Sequence, residues 1–200
     1  AHAGHRQQFG RVAHLDLEKE TPPGRLRDAL NNYLRALPVV VLAASLAPPR
    51  FDARRSAIAR SYVYRILARR APTALERKRV WWVASPLDFA AMQEGAKALI
   101  GKHDFSSFRS AQCQATSALR TLDRLELKRV GEEIRIEAEA RSFLHNQVRI
   151  IAGTLKEVGS GRWRVSDVAK VLAARDRRAG GPTAPPEGLC LVSVRYAGEG

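Results

Sequence analysis

The chain has 200 residues, 45% of them apolar and 27% charged, with a formal net charge of +14 and most of its 34 basic residues arginine. That is a globular composition, long enough for one large domain or two small halves, and it excludes default disorder. The longest apolar run, Pro38 to Ala47, falls far short of the roughly 20 residues that cross a bilayer, so a soluble chain is predicted.

Alternation predicts a strand over Phe9 to Leu17, with Leu15 and Leu17 toward the core. Thr21-Pro22-Pro23 then opens a helix whose Leu26, Leu30, Tyr33, Leu34 and Leu37 form a stripe at helical spacing, and Pro38 ends it. Val39 to Leu46 is continuously apolar, as in a strand covered on both faces. Ser61 to Leu67 reads as a strand with Tyr62, Tyr64 and Ile66 on one face, and a short strand is expected at Val80 to Ala84. Ser85-Pro86 caps a helix that turns Phe89, Met92, Ala96 and Leu99 inward and stops at Gly101. Arg120 to Val130 and Glu132 to Ala140 form a hairpin around Gly131 whose second strand alternates Ile134, Ile136, Ala138 and Ala140 inward with Glu133, Arg135, Glu137 and Glu139 outward. A helix is expected over Phe143 to Val158, a shorter one capped by Ser166, a Gly/Pro loop over Gly180 to Pro186, and a closing strand at Leu189 to Tyr196. The order implies an α+β fold, helices packed on a mostly antiparallel sheet.

Cations cluster. From Arg50 to Arg79 there are ten basic residues against two acids, which predicts a polyanionic partner. Arginine forks match phosphate oxygens in pairs and stack on bases. Arg109 follows Phe105 and Phe108 in a polar loop, and interleaved arginine and aromatic side chains suit unstacked RNA better than a membrane or duplex DNA. Tyr62 is either a core tyrosine with a satisfied hydroxyl or a ring available to a base. Arg149, beside an apolar helical stripe, either snorkels to water or is buried against an anion. Cys113 and Cys190 are too few for a disulfide framework and fit a reducing compartment, and a Cys113–His145 nucleophile pair lacks a third orienting group. Only His2 and His5 lie close enough in sequence to share a metal, and no metal site is predicted.

Four ordered motifs carry a resemblance: FDARRSAIARSYVYR at 51–65, GKHDFSSFRSAQCQA at 101–115, SFLHNQVR at 142–149 and TAPPEGLCLV at 183–192, extended upstream by VAHLDL and LNNYLRALP. Together they resemble the bacterial TruA-type tRNA pseudouridine synthases, nearly end to end. The resemblance implies a pseudouridine synthase-like fold of two halves sharing a central cleft, here residues 1–50, incomplete, and 51–200 with the RNA-binding cleft. It also implies isomerisation of uridine in the anticodon arm of tRNA, no cofactor, a homodimer and a cytoplasmic location. Tyr62 takes the place of the family's substrate tyrosine, Arg149 that of the arginine beside the catalytic carboxylate, and Leu189 that of the apolar residue under the target base. Arg54 and Arg109 match positions that help hold the RNA. The nucleophilic aspartate is not present: the segment expected to carry it reads AHAGHRQQFG, where Ala3 or His2 falls at its place and neither can act as a carboxylate. Asp16 and Asp52 belong to other motifs. The start therefore reads as a truncated or altered synthase, with a tRNA-binding relative that no longer converts its substrate as the alternative.

Overall fold

The computed structural model describes residues 7–8 and 11–197, so that His2, Ala3 and His5 lie outside the described residues. The chain divides into two compact units, Val12–Ser56 and the remainder, Ala1–Arg11 with Ala57–Gly200. In the larger unit the strands are β1 (Gln7–Gln8), β2 (Ala57–Ala68), β3 (Trp81–Val83), β4 (Gly101–Asp104), β5 (Leu119–Leu122), β6 (Arg124–Val130), β7 (Glu133–Ala140) and β8 (Leu189–Tyr196). Its helices are α2 (Phe89–Lys97), α3 (Gln147–Gly159) and α4 (Val165–Ala174), and α1 (Pro23–Leu34) belongs to the smaller unit.

β2 organises the sheet because its Tyr-Val-Tyr-Arg-Ile-Leu run supplies the aromatic and β-branched residues that fill a pleated surface. The sheet order is β1-β8-β2-β7-β6, with β3 also paired to β2. β2 is antiparallel to both β7 and β8, and β6 to β7, whereas β3 on β2 and β1 on β8 are parallel. Tyr64, Ile66, Ile134, Ile136 and Leu125 share the inner face with Met92, Leu99, Ile151, Leu155 and Val168 of the helices. Each such side chain contributes about 1.5–3 kcal/mol by leaving water. The α+β architecture expected from the sequence is thus observed. The outer face is wet, as alternation along β7 requires: Arg65 pairs with Glu133, Arg124 and Lys128 with Glu137, and Arg195 with Glu139.

One irregularity matters later. β2 runs in unbroken register with β7, but on β8 the partner of Ser61 is Ser193 and the partner of Tyr62 is Leu191, which leaves Val192 as an extra residue.

Several expected elements differ. Residues 11–17 form no strand, and Leu15 and Leu17 are exposed; Phe9 and Gly10 of that expected strand lie outside the described residues. Val39 to Leu46 forms no strand either, and most of its side chains lie open, Leu42 being 79% exposed, while Val41 and Ala44 are half-buried. A strand needs a hydrogen-bonding neighbour, and among the described residues Val41 is held by the Asn31 amide, which donates to its carbonyl at 2.9 Å and accepts from its N–H at 2.7 Å. α1 stops at Leu34 and buries none of its residues. Asp88, not Ser85, caps α2, accepting from the Ala91 N–H at 2.9 Å. Residues 120–130 are two strands, since β5 leaves the main sheet to pair with β4. α4 begins after Arg164, whose backbone N–H is held by Asp167, rather than at Ser166.

Candidate active site

The predicted helix over Phe143 to Val158 starts four residues late, and the delay builds the site. Asn146 adopts the left-handed region, φ 62°, a conformation asparagine tolerates better than most residues. The turn it makes leaves Phe143 ahead of α3 and Arg149 on its first turn. The Arg149 guanidinium donates from Nε to the Ala184 carbonyl at 2.7 Å and from Nη1 to Asn146 Oδ1 at 3.0 Å. Ala184 returns a bond, its N–H donating to the Arg149 carbonyl at 3.1 Å. Arg149 is therefore a fixed cation, not a snorkelling one.

The loop that holds it is pressed onto α3. At Gly153 a Cβ would lie 1.8 Å from the Pro182 carbonyl oxygen, so only glycine permits the approach. The Gly181 N–H donates to the buried Thr154 hydroxyl at 3.1 Å. Further on, the Tyr64 hydroxyl donates to the Pro185 carbonyl at 2.6 Å, and a Cβ on Gly188 would meet the Tyr64 ring at 2.7 Å. Burial pushes the Tyr64 phenol well above its ordinary range; the positive charge of Arg149 opposes that rise and Glu187 adds to it. Tyr64 is a neutral hydrogen-bond donor at any working pH.

Tyr62, two residues earlier on the same face, is only partly buried and meets the Phe143 ring edge to face, centroids 5.2 Å apart. Its partners across the ladders are Ala138 on β7 and Leu191 on β8. Leu189 stands opposite Tyr64, so it is the diagonal neighbour of Tyr62, and it is buried. Tyr62 and Leu189 are thus neighbours across β2 and β8, and Arg149 is tied through Ala184 to the loop that runs into β8. The Arg109 loop is tied to the same turn: the Ser110 N–H donates to the His145 carbonyl at 3.1 Å, and the His145 N–H to Cys113 Sγ at 3.5 Å. Arg109 itself donates to the Ala115 carbonyl at 3.2 Å. Arg54 belongs to the smaller unit, where its backbone N–H is held by Asp52 Oδ1 at 2.7 Å.

Two readings of this region change. Phe105 and Phe108 are fully buried and pack against each other at 6.0 Å, so they belong to the core and offer no base a stacking face. Cys113 and His145 do touch, yet through the backbone N–H of His145 and not its ring, which is no nucleophile–base pair. Burial alone would raise the Cys113 thiol; the N–H groups of His145 and Ala115 and the charges of Arg109 and Arg120 outweigh it, and the pKa falls. Phe143, Asn146 and Ala184 escaped the sequence reading. The signal available for Asn146 was its place three residues before Arg149, ahead of an apolar stripe that could not itself form the turn.

The region thus holds a cation fixed by one backbone carbonyl and one asparagine side chain, a half-buried aromatic pair and a buried leucine. A family model described as tRNA pseudouridine synthase matches residues 96–197. The tRNA pseudouridine synthase A of Paramagnetospirillum magneticum is 57% identical over 191 residues, 96% of this chain and 75% of that protein. Those of Sinorhizobium fredii and Rhizobium meliloti are both 56% identical, each over 94% of this chain and 77% and 76% of their own length. The chain belongs to the tRNA pseudouridine synthase A family.

Proposed function

We propose that the chain is a tRNA pseudouridine synthase that isomerises uridine in the anticodon arm. The observation that carries this reading is the Arg149 guanidinium, locked by Ala184 and Asn146, in a chain whose relatives are named for that activity. The reaction breaks the bond between uracil and ribose, turns the base and rejoins it through carbon. Its target must first leave the stack, at a cost of a few kcal/mol that a cationic, aromatic pocket offsets. Tyr62 and Leu189 bracket the extruded ring, Arg149 favours the ionised form of a carboxylate beside it, and Arg54 and Arg109 hold the RNA strand. The proposal keeps two halves, residues 1–50 and 51–200, with the RNA-binding cleft on the second. It also keeps a homodimer and a cytoplasmic location, the latter consistent with the absence, among the described residues, of any helix long and apolar enough to cross a membrane.

One observation favours a second reading. Residues 1–11 hold no aspartate, and under that reading the chain binds tRNA without converting it. Joining ribose to uracil carbon 5 displaces the hydrogen there, so tritium release from tRNA labelled at that carbon decides between the two. Release together with binding that weakens steeply as salt rises supports the synthase. Salt-sensitive binding with no release supports the binding relative, and absence of binding at low salt overturns both.

A further inference from the structure

The loop between β2 and β3, residues 69–80, is built differently from the other loops of the larger unit. Its base is locked by charge. The Arg69 guanidinium reaches Glu132 Oε2 at 2.5 Å and the carbonyls of Ala71 and Pro72, while Arg65 holds Glu76 at 3.0 Å from the strand below. The Trp82 indole N–H donates to the Arg69 carbonyl at 2.9 Å, which fixes a ring that remains 41% exposed. Those contacts use Glu76, the one acid within the loop, and Glu132 at its base. Arg70, Arg77, Lys78 and Arg79 are all exposed, and no side-chain hydrogen bond or ion pair engages them among the described residues. Lys78 also sits at φ 62°, a left-handed conformation that costs a lysine about 1 kcal/mol and that sets the turn between its two arginine neighbours.

Exposed cations usually accompany acids on a protein surface; here the loop segregates them. Bringing like charges together costs energy in the free protein, and an anion recovers it. Only Arg70 lies at the far end of β2; Glu76 reaches Arg65 and Trp81 stands opposite Ile66, so Arg77, Lys78 and Arg79 come back alongside the strand that carries Tyr62.

We infer that the β2–β3 loop is a further RNA contact, gripping backbone phosphates of the same tRNA through Arg70, Arg77, Lys78 and Arg79. Trp82 offers a face for an unstacked base or a ribose. The inference rests on the tRNA reading above. A second copy of this chain fits the loop less well, since an isologous contact would set four cations against four.

The test compares tRNA binding by wild type with that by Arg70→Ser/Arg77→Ser/Lys78→Asn/Arg79→Ser across a salt series, asparagine being chosen to suit the positive φ. The expected result is a shallower plot of log affinity against log salt, by roughly 2–3 in slope, and about tenfold or greater loss of affinity near 0.1 M salt. A charge-keeping Arg70→Lys/Arg77→Lys/Arg79→Lys variant should retain the slope. Should the fourfold variant fail to fold, Arg70→Ser/Arg77→Ser decides, with an expected slope loss of about 1–2. Unchanged affinity and slope overturn the inference, as does an equal loss in the lysine variant, or dissociation of a dimer with tRNA affinity intact. Wild type that binds no tRNA at low salt overturns instead the functional reading on which the inference rests.

Discussion

Two stretches of equal apolar promise have opposite fates. In α3, Ile150, Ile151, Leu155 and Val158 are buried to within a few per cent, whereas Val39, Val40, Leu42 and Leu46 of the smaller unit stand open to solvent. The difference is not in the residues. α3 satisfies its own backbone and meets a sheet face already closed by β2, β7 and β6. Among the described residues the 39–46 stretch has no strand beside it, and the Asn31 side chain bonds both backbone groups of Val41. Periodicity reports which face a segment would bury, and burial itself depends on a partner layer that supplies hydrogen bonds as well as contacts.

That contrast can be broken by experiment. Leu155→Ala removes a fully buried side chain and should lower unfolding free energy by about 2–5 kcal/mol in urea denaturation; a loss below about 1 kcal/mol would mean that the core of the larger unit is looser than its packing implies. A smaller effect is expected at Glu133. Burial works to raise its pKa, and the hydrogen bonds and charges of Arg65 and Arg135 outweigh it, so the folded-state value lies below the ordinary 4.5. The associated stability is present above about pH 4.5 and is lost as pH falls through the lower folded value. Glu133→Gln should therefore cost about 1 kcal/mol at pH 7 and nothing near pH 2, read as thermal midpoints at both pH values; equal cost at both would mean that the carboxylate charge is not what holds Arg65. Smallest of all, Leu42→Ser should leave stability within about 0.5 kcal/mol. If it costs as much as Leu155→Ala, the openness of residues 39–46 is wrong.

Much of the larger unit was legible because its signals are local. Alternation along β7 gave both the buried row from Ile134 to Ala140 and the charged row opposite, and β8 matched at both ends. What escaped was set by tertiary partners. The break at Asp123 exists because β5 pairs with β4, and nothing in the run from Arg120 to Val130 marks that change of neighbour. At the site, the motifs pointed to Tyr62, Arg149 and Leu189. The residues that aim them, Asn146 through its left-handed turn and Ala184 through a backbone carbonyl, carry no chemical signature in a sequence. Phe105 and Phe108 misled for the converse reason, since an aromatic beside an arginine looks alike whether it faces a base or the core.

The extra residue in β8 acts as a phase shifter. Leu189 packs inward opposite Tyr64, whereas Arg195, six residues on, reaches Glu139 on the outer face, although an unbroken pleat would send residues an even number apart to the same face. Val192 resets the parity between them, so one strand floors the proposed ring pocket with odd-numbered leucines and still delivers Arg195, also odd, to Glu139 on the other side. A length change of one residue on either flank of Val192 would thus invert one end of β8 while sparing the other, which makes the spacing of this strand as informative about the pocket as any side chain in it.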